Sequence, residues 1–199
     1  MSDLEILESN IYYYKNVIEN PKAFIEEIES LDKDLKSDSQ ISKWKVWESS
    51  NSTMVFGLYK DGFFSNINNK TSVDQSCTNI SKQIKLIADY MSNDFCEKTQ
   101  LEKGFLPDPF SIRKYNTDAY MGPHTDSGDD NGKLVPTISM VIYLNDDYEG
   151  GEINFINQNI SLKPEAGSLI VFPSHQPYLH DPKPVIKGNK YMIPLFWFK

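Results

Sequence analysis

Cysteine, arginine and histidine are scarce in this 199-residue chain, and each scarcity excludes something. The two cysteines, Cys77 and Cys96, fall in one segment of helical periodicity. They make neither a disulfide framework nor a thiolate metal site, which fits a reducing cytoplasm. Arg113 is the one arginine, and the formal net charge is −8. No segment supplies the basic stripe that a phosphate backbone requires, so nucleic acid is excluded as a partner. The apolar stretches Met140–Leu144, Leu169–Phe172 and YMIPLFWF at 191–198 fall far short of the roughly 20 residues of a membrane span. The opening MSDLEILES is acidic where a secretory leader is positive. No membrane partner is expected, and the cytoplasm is the expected compartment.

What is present describes a soluble globular chain, 39% hydrophobic and 24% charged, long enough for a single domain over 1–199. Residues 1–39 hold ten acids against four lysines, so the acidic excess lies on the N-terminal part, where it serves solubility. Asn20-Pro21 reads as a cap followed by proline at the first helical position. Phe24, Ile28, Leu31 and Leu35 then recur at helical spacing, predicting a helix over 21–35. A second helix is predicted from Ser72 to Phe95, with Ile80, Ile84, Ile87, Met91 and Phe95 along one face. Residues 41–70 read as short strands with loops, and Trp44, Trp47 and Tyr59 there suit either a substrate wall or packing beneath a sheet. We therefore divide the chain into a mixed, partly helical support region at 1–105 and a β core at 106–199.

In the β core, strands are predicted at 111–115, 120–126, 137–144, 152–156, 168–172, 179–186 and 190–198, separated by turn clusters. So many short strands imply a sandwich or a closed double sheet, with the two helices packed on one sheet from outside. The fold class is α+β, mainly β.

All three histidines, His124, His175 and His180, lie in this β segment. Residues two apart on a strand point the same way, so His124 and Asp126 can reach one ion. Roughly one chain in four of this composition would carry His-x-Asp by chance, so the pair alone decides little. His180, on another strand, supplies a third ligand. Two imidazoles and a carboxylate on one face of an octahedron leave the remaining positions open, as in non-haem Fe(II) oxygenases. Ten residues further, Lys190 begins an apolar strand, where burying a cation is costly unless an anion meets it.

Four motifs carry a more specific resemblance: His124-Thr125-Asp126, TISMVIYLNDDYEGGEINF at 137–155, Gly167–Phe172, and the run from His180 to Lys190. Over about 110–198 the chain resembles the Fe(II)/2-oxoglutarate dioxygenase superfamily, and within it the prolyl 4-hydroxylase-like branch, including small bacterial and phage members. The resemblance implies a double-stranded β-helix, or jelly roll, with helices bracing its larger sheet. It implies iron ligation by His124, Asp126 and His180. Lys190 would pair with the distal carboxylate of 2-oxoglutarate, assisted by Tyr115 and, as an alternative to a plain core role, Tyr143. Fe(II), 2-oxoglutarate and O₂ follow as cofactor and cosubstrates, with ascorbate as the candidate reductant. The implied activity is hydroxylation of an unactivated C–H bond with release of succinate and CO₂, on peptidyl proline in a peptide or protein substrate. Two departures are Met192, where many relatives have serine near the carboxylate, and lysine at 190, which lacks the bidentate geometry of arginine although lysine is usual in the prolyl 4-hydroxylase-like branch.

Several readings stay open at this level. His175 rivals His180 as ligand, although its fifteen-residue spacing to Lys190 disfavours it, and it suits a turn near the mouth of the site. Asp129, Asp130 and Lys133 in the loop at 127–136 are placed beside the site. A small-molecule or free amino-acid hydroxylase would share every motif. A cupin-like metal enzyme or a non-catalytic jelly-roll module would have no need of Lys190.

Overall fold

The computed structural model describes residues 3–39, 44–48, 54–58, 72–106, 112–119, 121–127 and 135–199. Its elements in chain order are β1 (Asp3–Glu8), β2 (Ile11–Lys15), α1 (Pro21–Ser39), β3 (Trp44–Glu48), β4 (Met54–Leu58), α2 (Ser72–Thr99), β5 (Ile112–Tyr115), β6 (Pro136–Tyr143), β7 (Glu149–Gly150), β8 (Ile153–Phe155), β9 (Ile160–Leu162), β10 (Leu169–Pro173), β11 (His180–Pro182), β12 (Val185–Lys187) and β13 (Lys190–Phe198).

Eight strands form one antiparallel sheet in the order β1-β2-β10-β6-β13-β5-β4-β3. The smaller sheets β11-β8-β9 and β12-β7 complete the jelly roll. Alternation along the central strands divides the core in two. Ile138, Met140 and Ile142 of β6, with Tyr191, Ile193, Leu195 and Trp197 of β13, meet the helices. Val141, Tyr143 and Met192 point the other way, into the roll, where Phe155 and Val185 of the small sheets close over them.

The helices form where their apolar spacing permits that contact. Asn20 caps α1 through its Oδ1, which accepts from the Ala23 N–H at 3.2 Å, and Pro21 takes the first helical position. Phe24 and Ile28 of α1 and Ile80, Ile84, Ala88, Met91 and Phe95 of α2 are buried against the large sheet. Each buried isoleucine contributes about 1.5–3 kcal/mol. A polar tie adds position to this packing: Glu29 Oε1 accepts from Lys114 Nζ at 2.8 Å and from the Tyr191 hydroxyl at 2.7 Å. No helix among the described residues is long and apolar enough to cross a membrane.

Three sequence expectations change. The strand expected over 120–126 is absent: residues 121–127 are irregular, and His124 makes one isolated bridge to His180. Pro123 has no N–H to give a ladder, and Asp126-Ser127 turns immediately afterwards. The strand expected over 179–186 is two, because Pro182 and Pro184 interrupt it. The N-terminal hairpin β1–β2 was not anticipated; β2 is enclosed by β1 and β10, so it reads as a continuous apolar run without alternation. Tyr59, the side chains of Trp44 and Trp47, and the loop acids Asp129 and Asp130 with Lys133 lie outside the described residues.

Candidate active site

The cleft opens on the inner face of the large sheet. Along β13, Lys190, Met192, Pro194 and Phe196 line it, while the alternate residues face the helices. Register places Tyr115 of β5 opposite Lys190, and Met192 between Arg113 and Tyr143. Met121, Val141, Ile153 and Val185 complete the lining of the cleft.

His124, Asp126 and His180 converge at one wall, with one ligand atom from each lying within 4.8 Å of the others. The backbones of His124 and His180 exchange two hydrogen bonds, of 2.9 and 3.0 Å. This bridge substitutes for the expected strand in bringing the two rings to 4.4 Å between centroids. Each ring is turned by its Nδ1, which donates to a backbone carbonyl: that of Gly122 at 2.7 Å for His124, and that of Tyr178 at 3.2 Å for His180. Both Nε2 atoms consequently face Asp126, whose Oδ1 and Oδ2 lie 3.5 and 3.7 Å from them. Fixing the tautomer through the remote nitrogen is how metal-binding histidines are commonly oriented. The His180 ring is further held between Phe155 and Phe172.

The electrostatics agree with the geometry. Burial pushes the Asp126 carboxyl up, but the two imidazoles and the Ser139 hydroxyl outweigh it and hold the group ionised, below its ordinary value. Ser139 is itself fixed by Ser174, Oγ to Oγ at 2.7 Å. Burial lowers the His180 pKa and keeps that ring neutral, the form a metal requires. For His124 burial also lowers, but Asp126 and the Gly122 carbonyl raise the net value.

Lys190 is only 4% exposed and carries no carboxylate ion pair among the described residues. Its Nζ donates to the Gly151 carbonyl at 2.5 Å and lies 5.1 Å from the centre of the Tyr143 ring. Burial pushes its pKa down to about 7, against the pull of Glu152 upward. Opposite it, the buried Tyr115 hydroxyl has no hydrogen-bond partner among the described residues. Burial raises its pKa, opposed by the Arg113 guanidinium. A buried cation and an orphaned hydroxyl facing one cavity fit a carboxylate that would satisfy both. The donor set at the other wall fits a divalent metal that prefers imidazole and carboxylate.

The candidate residues therefore assemble as follows. His124, Asp126 and His180 form one cluster; Lys190, Tyr115 and Tyr143 form a second group in the same cleft. His175 joins neither: it is exposed in a turn, its Nδ1 bonded to the Gln176 carbonyl at 2.6 Å. Met192 does face the cleft, so no serine hydroxyl is offered at that position. Three contributors escaped the sequence reading. Ser139 was detectable, since it shares a face with Val141 and Tyr143. The Gly122 and Gly151 carbonyls were not, because any residue carries a carbonyl and only folding aims it.

Residues 110–199 match the family model of the 2OG-Fe(II) oxygenase superfamily. Human prolyl 3-hydroxylase 2 is 38% identical over 65 residues, a match spanning 30% of this chain and 9% of that protein's length. Among solved structures, a prolyl hydroxylase of Trichoplax adhaerens in complex with a hypoxia inducible factor peptide fragment superposes with a TM-score of 0.64 at 13% identity, covering 96% of this chain and 84% of the other. A Pseudomonas putida prolyl-4-hydroxylase gives 0.62 at 13% identity, covering 96% and 93%. The viral collagen prolyl hydroxylase of Paramecium Bursaria Chlorella virus-1, in its 2OG complex, gives 0.53 at 20% identity, covering 60% and 73%. The shared architecture is the jelly roll, and the match over residues 110–199 is what places this chain beside the 2OG-Fe(II) oxygenase superfamily.

Proposed function

We propose that this protein is an Fe(II)- and 2-oxoglutarate-dependent dioxygenase that hydroxylates peptidyl proline. The observation that carries the reading is the placement of the His124–Asp126–His180 cluster and the buried Lys190 in one cleft. The relatives named as prolyl hydroxylases support the substrate class.

In this reading His124, Asp126 and His180 hold the metal through two neutral imidazoles and one carboxylate, leaving adjacent positions open. Lys190 and Tyr115 hold the distal carboxylate of the cosubstrate, and Tyr143 lends its ring face to the ammonium. When bound, iron and 2-oxoglutarate supply oxidative decarboxylation with O₂, yielding succinate and CO₂ and placing one oxygen on the substrate carbon. The protein's part is to orient the ligands and exclude water with Val141, Ile153, Val185 and Met192. Ascorbate would serve as the reductant. A cupin-like metal enzyme or a binding module leaves the cost of burying Lys190 without a purpose.

The test is anaerobic titration with Fe(II) and then 2-oxoglutarate, following the visible metal-to-ligand charge-transfer band. Turnover assays on proline-containing peptides and on free proline would follow by mass. Band and peptide hydroxylation are expected. Free-proline turnover alone would make the protein an amino-acid hydroxylase, and iron binding without a band would remove 2-oxoglutarate from the reading.

A further inference from the structure

Lys190 sits in a socket outside the metal cluster, built by Tyr143, Tyr148 and Gly151. Two of its walls are the rings of Tyr143 and Tyr148, whose centres lie 5.1 and 5.8 Å from Nζ. The cap is the Gly151 carbonyl, 2.5 Å away. An ammonium between two ring faces and a carbonyl dipole is oriented from several sides, although none of these groups neutralises it.

The segment carrying Tyr148 and Gly151 is itself pinned. Gly151 has φ +69°, and a Cβ there would meet Tyr148 Cε2 at 2.8 Å and Lys190 Cδ at 3.3 Å. Both its conformation and its space demand glycine. Its N–H donates to the Pro184 carbonyl at 2.9 Å, and Gly150 pairs with Val185, fastening the segment to β12. Tyr148 is held by Lys163, whose Nζ donates to the Tyr148 carbonyl and lies 4.8 Å from the ring centre. Tyr148 is buried, yet its hydroxyl has no hydrogen-bond partner among the described residues. A buried orphan hydroxyl is destabilising. What the position contributes is therefore the ring, applied to Lys190 from one side and Gly151 from the other.

Lysine has four rotatable side-chain bonds, and an unrestrained ammonium could follow carboxylates at several distances from the metal cluster. The socket removes that freedom. Resting on the proposed role of Lys190 as cosubstrate anchor, we propose that Tyr148 and Gly151 are positioning and specificity-determining residues, which fix Lys190 Nζ at one height in the cleft and thereby select 2-oxo diacids of one chain length. Neither residue touches the reacting atoms; both act through Lys190.

The experiment measures anaerobic dissociation constants of 2-oxoglutarate and of the one-carbon-longer 2-oxoadipate on the Fe(II)-loaded full chain. The variants are Tyr148→Leu, Tyr148→Phe, Gly151→Ala and Lys190→Ala, with Fe(II) affinity as a separate readout. Tyr148→Leu should weaken 2-oxoglutarate about tenfold, the size of a lost cation–π contact in a dry site, and narrow its preference over 2-oxoadipate by a similar factor. Tyr148→Phe keeps the ring and should stay within about twofold of the parent. Gly151→Ala should behave as Tyr148→Leu; if it fails to fold, the Leu–Phe pair decides. Fe(II) affinity should not move in any of them, which a general loss of structure would not allow. Unchanged 2-oxoglutarate affinity and selectivity in Tyr148→Leu, alongside a large loss in Lys190→Ala, would overturn the proposal while leaving the anchor in place. Unchanged affinity in Lys190→Ala would instead overturn the anchor.

Discussion

With Lys190 as the proposed cosubstrate anchor, its burial would make the affinity for 2-oxoglutarate depend on pH in a calculable way. Burial places the Lys190 pKa at about 7, Glu152 raises it, and Lys163 lowers it; Tyr115, Tyr143 and Tyr148 also face the group and stay neutral. A carboxylate bound against Nζ favours the ammonium, so above pH 7 binding must draw a proton from solution. The dissociation constant then scales as one plus the ratio of neutral to charged lysine, and affinity falls about fiftyfold between pH 7 and 9. The metal-loaded protein is the right sample, since a metal held by His124 and His180 keeps those two rings from taking up protons in that range. Calorimetry at pH 8 in two buffers of different ionisation enthalpy should report uptake of about 0.9 proton per 2-oxoglutarate. Lys190→Arg keeps its charge at every pH used, so the slope should vanish in that variant. A flat affinity between pH 7 and 9 with no proton uptake in the parent would refute the reasoning.

The same lysine bears on stability. Its folded pKa lies below the ordinary 10.5, so the unfolded chain binds more protons between pH 7 and 10.5 and stability should rise with pH through that window. The full drop corresponds to about 5 kcal/mol as a ceiling. Lys190→Met should accordingly raise the melting temperature of the ligand-free protein at pH 7 while abolishing 2-oxoglutarate binding; a lower melting temperature would contradict the cost assigned to the buried cation. Asp126→Ala and His180→Ala should each eliminate iron-dependent turnover, whereas His175→Ala should retain Fe(II) binding, as measured by equilibrium dialysis. Equal loss in the two histidine variants would reverse the assignment. Ile84→Ala should cost about 2–5 kcal/mol in denaturant unfolding, because Ile84 is fully buried between α2 and the large sheet. A loss below 1 kcal/mol would show that the site collapses.

How much of this was legible in the sequence depends on whether side chains or backbone do the work. The candidates His124, Asp126, His180 and Lys190 offer their chemistry through side chains, and the motifs that carry the family resemblance group them. β13 was legible to its ends, since nothing interrupts Lys190–Phe198 and its alternate residues take opposite faces. The irregular approach to the site was not, because Pro123 replaces a strand with a single bridge whose partner lies 56 residues away. The Lys190 socket was hidden for the same reason. A double glycine at 150–151 suggests a turn, but which carbonyl it presents to which lysine depends on the pairing of β7 with β12.

The N-terminal hairpin has a consequence for the birth of the protein. Tyr14 of β2 pairs with Leu169 of β10, so its neighbour in the large sheet is made 155 residues after it. At the usual 5–20 residues per second, the aromatic run Ile11–Tyr14 waits about 8–30 seconds for that strand. Pairings so distant in sequence slow folding, since the ordering cost of the intervening chain falls before the contact repays it. Until β10 emerges, β1 is the partner within reach, and its Asp3, Glu5 and Glu8 give the waiting hairpin a charged border of the kind that discourages strand-to-strand aggregation. In the finished sheet β1 remains the outer strand, so the same acids border that edge in the folded protein.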